Sequence, residues 1–449
     1  MTAHLDLIRS AHAAMVWPRL PGADGTTALA MQYQLGQTQW WSAARLEEYQ
    51  LRQFLPVLRH AVETVPYYRE RFPATPGGGL TPQRFAELPR LTRADVQAAG
   101  AALRSERVPP AHGEVTTSET SGSTGRPVTY WVTDLTDFFW RAFNLRDHLW
   151  HGRDLAGTLA AIRKFKPLEQ AGWGPSIDGA YSAGKSLVFN IGHDLDEQLD
   201  WLAEKAPAYL ISNAHNVYWL ARRSLERGMA LPGLRQVLSF GGTFPEDTRE
   251  VVRRAWDATL TDVYTAEEVG YIALQCPAGD HYHVQSENLI VEVLREDGSP
   301  CGPGEIGTVV LTTLHNYAMP LIRYEIGDYA EAGAPCSCGR GLPVINRILG
   351  RRRNMLALPG GKWRWPSFPS DRWSYAAPVR QVQLVQKSVE LIRVRAVTAR
   401  ELTAAEEREF LAAMAACLGY PFQLELECVA EIGRGPGYKF EDFISEVTG

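Results

Sequence analysis

Cysteine is scarce, six in 449 residues, too few for a disulfide scaffold in a chain this long. No run approaches the roughly 18 apolar residues that a helix needs to cross a bilayer. The first twenty residues, MTAHLDLIRSAHAAMVWPRL, lack the basic start and unbroken apolar stretch of a secretory signal. Neither sign of charge dominates. The 46 Lys and Arg stand against 51 Asp and Glu, a net charge of −5, which supplies no bulk attraction to nucleic acid or to an anionic membrane. Arg351, Arg352 and Arg353 make the only evident basic cluster. There is no internal repeat and no low-complexity tract. These absences predict a protein of the reducing cytoplasm without a nucleic-acid or membrane partner.

What is present is an ordinary globular composition, 45% hydrophobic and 22% charged, at a length that predicts two or three domains. Ser42 is placed to cap a helix running to about Val65, with Leu51, Phe54, Leu55, Leu58 and Val62 at helical spacing and Pro66 as its stop. Residues 75 to 110, rich in Pro, Gly and Arg, read as loops with a short helix at 93–102. From 115 to 350, short apolar runs alternate with helical stretches, the pattern of an α/β domain. LRQVLSFGG (234–242) predicts a buried strand entering a glycine turn. LIVEVL (289–294) and TVVLTTL (308–314) predict strands around an Asp297-Gly298 turn. The character changes after Arg351. A linker with Pro359-Gly360-Gly361 as its hairpin leads to two strands, VRQVQLVQ and VELIRVRAV. Thr403 and Glu406 form a capping box for a helix carrying Phe410, Leu411, Met414 and Leu418, closed by Gly419, and FQLELEC alternates as a half-buried strand. The expected division is a domain over 1–350 and a small α+β domain over 351–449.

Two stretches compete as a phosphate grip. Residues 179–186, GAYSAGKS, match the G-x-x-x-x-G-K-[ST] pattern. Such a loop must lie between a buried strand and a helix. Its upstream neighbour EQAGWGPSID is polar and glycine-broken, and LVFNIGHD downstream makes a poor helix, so it is rejected as the grip. Residues 116–127, TTSETSGSTGRP, concentrate hydroxyls and glycines. Glycine lets backbone N–H groups approach phosphate oxygens, and the hydroxyls add neutral donors.

Within that stretch TSGSTGRP (120–127) resembles the phosphate loop of the adenylate-forming superfamily, the acyl-CoA ligases and their relatives. Tyr264-Thr265-Ala-Glu-Glu268 is similar to its Tyr-x-x-x-Glu motif, and Arg323-Tyr-Glu-Ile-Gly-Asp328 to its ribose motif. Gly350-Arg351 with Asn354-Met355 resembles the hinge motif, and Gly437-Tyr-Lys439-Phe the C-terminal lysine motif. Order and spacing resemble the phenylacetate–CoA ligase branch, which Gln39-Trp-Trp and Val65-Pro-Tyr-Tyr echo near the start.

The resemblance implies a large α/β N-terminal domain of the acyl-adenylate-forming type and a small α+β C-terminal domain that rotates on a hinge near residue 354. It implies activation of a small carboxylic acid by ATP to an acyl-adenylate, with release of pyrophosphate. Ser121, Gly122, Ser123, Thr124 and Gly125 would hold the ATP phosphates. Gly241, Gly242 and Thr243 would line the adenine slot, with Tyr264 stacked on the base and Thr265 beside it. Asp328, with Arg323 in the same motif, would serve the ribose. Glu268 would bind Mg²⁺, Arg351 would reach the nucleotide on closure, and Lys439 would bring positive charge to the α-phosphate. Residues 179–186 are then expected in the wall between the phosphate loop and the acyl pocket, with Lys185 at most touching substrate. Intact Glu268, Asp328 and Lys439 argue against a non-catalytic relative.

The motifs depart from the family's usual pattern at Val128, Gly242-Thr243, Asn354 and Tyr438. The acyl acceptor therefore stays open between coenzyme A, which the branch favours, a carrier-protein thiol and an amine. Cys276, Cys336 and Cys338 with one histidine make a closed tetrahedral zinc set. The resemblance favours His283 over His281 as the fourth ligand and implies a structural metal. Trp140, Phe143, His148, Trp150 and His151, together with residues 207–220, would line an acyl pocket or simply pack the core. Arg163-Lys-Phe-Lys166 either receives a second anionic group or coenzyme A, or is a solvated basic loop.

Overall fold

Strands buried on both faces read as continuous apolar runs, because helices cover both sides of a parallel sheet. Leu159–Arg163, Lys185–Asn190, Tyr209–Asn213, Gln236–Phe240 and Thr259–Ala266 have mostly apolar centres of this kind, and they pair in parallel. They form one half of a thirteen-stranded sheet. The computed structural model describes residues 2–72, 80–120, 127–243, 245–368, 372–433 and 440–447. Helices Leu195–Lys205, Ala214–Glu226 and Thr248–Trp256 pack on the parallel half through Leu199, Leu220, Val252 and Trp256. On its way into the second half, the sheet turns antiparallel at Gly270–Gln275. Tyr282–Val284, Val344–Arg351, Tyr324–Ala332, Ile306–Thr313 and Leu289–Leu294 then follow across it. This half buries its apolar face against helix Ala43–Thr64. Ser42 caps that helix by accepting the Arg45 N–H. Pro66 ends it and also opens a new short helix, Pro66–Arg71, where its missing N–H costs nothing.

The short helix expected at 93–102 is Arg93–Ala99, capped by the reciprocal Thr92–Asp95 pair, and the chain tightens to a 3₁₀ turn over Gly100–Leu103. Asp297-Gly298 lies in the turn between Leu289–Leu294 and Ile306–Thr313, with Gly298 at φ +83°. In the small C-terminal unit, Val379–Gln386 and Leu391–Thr398 pair antiparallel, and Gln423–Cys428 joins the latter in parallel. Helix Ala404–Leu418 covers one face with Phe410, Met414 and Leu418, and its predicted capping box is formed. A fourth strand, Phe443–Ser445, adds beside Val379–Gln386; three residues carry too little pattern to be read from sequence. Among the described residues no helix is long and apolar enough to cross a membrane.

GAYSAGKS lies between a short helix and a strand: the four-residue helix Pro175–Asp178 precedes it, and strand Lys185–Asn190 follows. The stretch is pinned to the N-terminal segment by the Ser182 N–H donating to Leu7 O and the Arg9 N–H to Ala180 O. Lys185 opens its strand at the N-terminal end, exposed and paired with Glu169 at 3.0 Å across the hairpin. The strand-before, helix-after context is absent, and Lys185 is already satisfied on the surface.

The small unit has its own apolar core, in which Phe410 is fully buried and meets Trp373 edge-on at 5.8 Å. Phe410→Ala should cost about 3–5 kcal/mol there. Hydrogen exchange should accelerate across Val379–Gln386 and Leu391–Thr398 while staying unchanged in Tyr209–Asn213. Acceleration in both would contradict two separate cores.

Candidate active site

Strand register brings together residues far apart in sequence. Asp328 and Arg351 are directly opposed in the antiparallel pair Tyr324–Ala332 with Val344–Arg351, and the Arg351 Nε lies 3.6 Å from the Asp328 Oδ1. From the parallel half, the Tyr264 hydroxyl donates to the Asp328 Oδ2 at 2.8 Å. Burial holds the Tyr264 phenol well above its usual pKa, reinforced by the Asp328 charge, so it stays a donor. Asp328 itself remains only partly exposed, with lone pairs left to accept further hydroxyl donors.

Thr243 lies against Gly350, where an added Cβ would come within 3.5 Å of its methyl; Gly350 is also at φ +86°. The glycine turn after strand Gln236–Phe240, with Gly241 at φ +76°, is thus drawn up to the Gly350-Arg351 corner. Gly242 and Thr243 line a cleft of about 1400 Å³ that Asn354, Met355, Trp363 and Asp442 border from the side of the small unit. Thr265 stands next in its strand to Tyr264 and pairs with Tyr271.

Glu268 is buried, and burial raises its pKa. Its Oε1 accepts from the Tyr324 hydroxyl at 3.3 Å and has the Arg93 Nη1 at 3.8 Å. Arg93 also donates to the Thr120 Oγ at 3.4 Å. Thr120 closes the base of the hydroxyl-rich loop, since its Oγ accepts the Val128 N–H at 2.9 Å and its own N–H donates to Val128 O. Residues 121–125 and Lys439 lie outside the described residues. Their flanks do not: the 120/128 base sits one arginine from Glu268, and Phe440 packs edge-on against His215 at 5.3 Å, with Asp442 3.9 Å from the same ring. Gly242 is beside His215 too. Arg93 was missed from sequence because it sits in a motif-free, arginine-rich stretch.

Arg323 does not join this group. At φ +48° it is buried beneath the sheet, paired through Nε and Nη2 with Glu292 at 3.0 and 2.9 Å and donating to the carbonyls of Ala86 and Leu88. Every donor group of its fork is spent inside the protein.

A second constellation lies at one end of the antiparallel half. One ligand atom each from Cys276, His281, His283 and Cys336 falls within 4.8 Å of the others. Cys276 and Cys336 sulfurs are 3.9 Å apart, His281 Nε2 is 3.0 Å from Cys336, and His283 Nε2 is 3.3 Å from Cys338. The structure thus gathers both histidines with the three predicted thiols. His283 has its Nδ1 against Leu342 O at 3.4 Å, which leaves Nε2 facing the thiols. Burial lowers its pKa to about 4, so the ring is neutral. Arg340 stacks on Trp150 and donates to the Cys338 sulfur at 3.5 Å.

Because Arg323 is a strut, Arg323→Met should destabilise the protein by about 3–5 kcal/mol through the stranded Glu292 carboxylate. The double variant with Glu292→Gln should recover part of that loss in denaturant unfolding. An unchanged midpoint in the single variant would contradict the assignment.

No protein-family model matches the chain. Three curated relatives are phenylacetate-coenzyme A ligases. That of Escherichia coli (strain K12) is 25% identical over 336 residues, 71% of this chain and 74% of the enzyme. That of Aromatoleum evansii is 26% identical over 339 residues, 71% and 73%. That of Thermus thermophilus is 28% identical over 194 residues, which span only 40% of this chain and 42% of that ligase. Among solved structures, 2-hydroxyisobutyryl-CoA ligase in the postadenylation state with R3-HIB-AMP superposes with a TM-score of 0.70 at 20% identity, covering 90% of each chain. Its open conformation with 2-HIB-AMP and CoA reaches 0.57 at 19% identity, covering 95% of this chain and 96% of that one. The ordered motifs and these relatives agree in supporting a phenylacetate–CoA ligase-like chain, and the solved structures show that it has the fold of the adenylate-forming CoA ligases.

Proposed function

We propose that this protein activates a small carboxylic acid with ATP and passes the acyl group to the thiol of coenzyme A. One observation carries the reading: Asp328, Tyr264, Arg351 and the Gly241–Thr243 turn converge on the same side of the molecule that Arg93 links, through Glu268 and Thr120, to the hydroxyl-rich loop. In the first step a carboxylate oxygen bonds to the α-phosphorus of ATP while the bond to the β-phosphate oxygen breaks, giving acyl-adenylate and pyrophosphate. In the second, the thiolate sulfur bonds to the acyl carbon and AMP leaves.

Asp328 would accept the ribose hydroxyls, with Tyr264 and Arg351 holding its orientation, and Tyr264 would offer its ring face to the base. Residues 121–125 would cradle the β- and γ-phosphates. Glu268 fits a magnesium site because its carboxylate is buried and only weakly hydrogen-bonded; the ion would neutralise phosphate charge. Lys439 would place a compact charge on the α-phosphate. His215 already anchors Phe440, the next residue, beside Gly242, an arrangement suited to the first step. In support, the chain superposes better on the postadenylation state of 2-hydroxyisobutyryl-CoA ligase than on its thioesterification state, TM-score 0.70 against 0.58. Rotation of the small unit about Asn354 would then withdraw Lys439 and admit the thiol.

The constellation fits a structural zinc: Cys276, His281, His283 and Cys336, with Cys338 beside His283, would supply soft thiolates and imidazoles enough for a closed tetrahedral set. The metal would staple the 276–283 and 336–338 loops. None of the six cysteines is in a disulfide, which suits a reducing cytoplasm.

Lys439→Ala should lower adenylate formation by roughly 10²-fold or more while sparing thiolysis of a supplied acyl-adenylate. Equal loss in both half-reactions would overturn the role given to this lysine. The purified protein should carry one zinc per chain, and Cys336→Ser should lose it. Metal-free wild type with an unaltered melting curve would contradict the staple.

A further inference from the structure

Of three arginines in, just after and one strand beyond helix Asp134–Trp150, two are held by side-chain hydrogen bonds. Arg146 leaves its Nε bare but donates through both Nη groups to Gln285, to both oxygens of Glu287 and to Leu35 O. Arg153 donates to Asp147, Gln236 and Thr261. Arg163 is different. It is the last residue of strand Leu159–Arg163, and its Nε is buried with no hydrogen-bond partner among the described residues. Its guanidinium lies 4.8 Å from the ring centre of Phe240, the residue just before the Gly241–Thr243 turn. Burial lowers its pKa, and the one group working against that loss is the Tyr271 phenol. Tyr271 in turn accepts from Asn144 at 2.8 Å and meets Trp140 edge-on at 5.1 Å.

A guanidinium nitrogen buried without an acceptor is costly to keep, and the planar fork is suited to a carboxylate. Its position matters as much. Ligands of open α/β sheets bind beyond the carboxyl ends of the strands, and Arg163 stands there, level with Phe240 and Asn213. Lys164, Phe165 and Lys166, which follow it, are exposed, so within the basic run only Arg163 turns inward. Resting on the adenylation reading, we infer that Arg163 is the specificity residue for a second carboxylate on the acid substrate, remote from the one that is activated. The ring faces of Phe240, Tyr271 and Trp140 would line the connecting part of that acid.

The test is ATP–pyrophosphate exchange by the full-length enzyme, which needs no coenzyme A, over matched pairs. These are benzoate with isophthalate and terephthalate, phenylacetate with 4-carboxyphenylacetate, and butyrate with succinate and glutarate. At least one diacid should exceed its monoacid partner by roughly 10²-fold in kcat/KM, because a site built around a buried charge rejects the analogue that leaves it unpaired. Arg163→Met should erase that ratio. Arg163→Lys, which keeps the charge without the fork, should retain part of it and guards against a folding defect in the first variant. Monoacids preferred in every pair, or a ratio unchanged in both variants, would overturn the inference while leaving adenylation standing. So would a defect confined to the KM for coenzyme A, which would make Arg163 a cofactor contact. No exchange with any acid would overturn the adenylation reading itself, and this inference with it.

Discussion

One carboxylate holds the site together. Asp328 takes the Tyr264 hydroxyl on one oxygen and faces the Arg351 guanidinium with the other. Tyr264 belongs to the last of the parallel strands, and Arg351 ends the strand that leads into the small unit. The pair therefore joins the two halves of the sheet at the point where the chain leaves it. Removing the Asp328 charge would loosen a tyrosine and an arginine that come from different elements. In the proposed reaction the same carboxylate holds the ribose, so the junction that orders the protein would also sense the nucleotide.

Around that junction, rigidity and mobility are divided by chemistry. The large unit is locked by largely buried ion pairs such as Arg146 with Glu287 and Arg153 with Asp147, contacts that lose far more when broken than an exposed pair does. The seam to the small unit combines a few polar contacts with aromatic ones, Trp219 packing on the small unit's core. Asn354 accepts the Arg351 N–H and donates to Phe443 O, Ser367 donates to Glu246, and His215 meets Phe440. The polar contacts among these can be exchanged for water at little net cost, which suits the proposed change of position between half-reactions. Asparagine at 354 both accepts and donates there; an acidic residue in its place could only accept.

Much of this was legible in the residues, and the exceptions have physical reasons. The capping pair Thr403 and Glu406, the alternation of FQLELEC and the buried run 234–242 are local signals, and local structure followed them. The motif order placed Tyr264, Asp328 and Arg351 in one site, but their contact depends on a strand register that no local pattern shows. Arg323 looked like part of the ribose motif until its positive φ and the Glu292 carboxylate turned it into a strut. Arg93 gains its meaning from Thr120 and Glu268, distant in sequence. Arg163 was visible only as one member of a basic run. Which of the four residues faces inward, and that nothing described answers its Nε, is a property of the packed chain.

The central claim is that the acid's own oxygen bonds to the α-phosphorus of ATP, and isotope transfer tests it directly. With an accepted acid labelled with ¹⁸O in its carboxylate, plus ATP and coenzyme A, the AMP released over many turnovers should carry one labelled oxygen, and the pyrophosphate none. Label in inorganic phosphate, with ADP as the nucleotide product, would contradict the account.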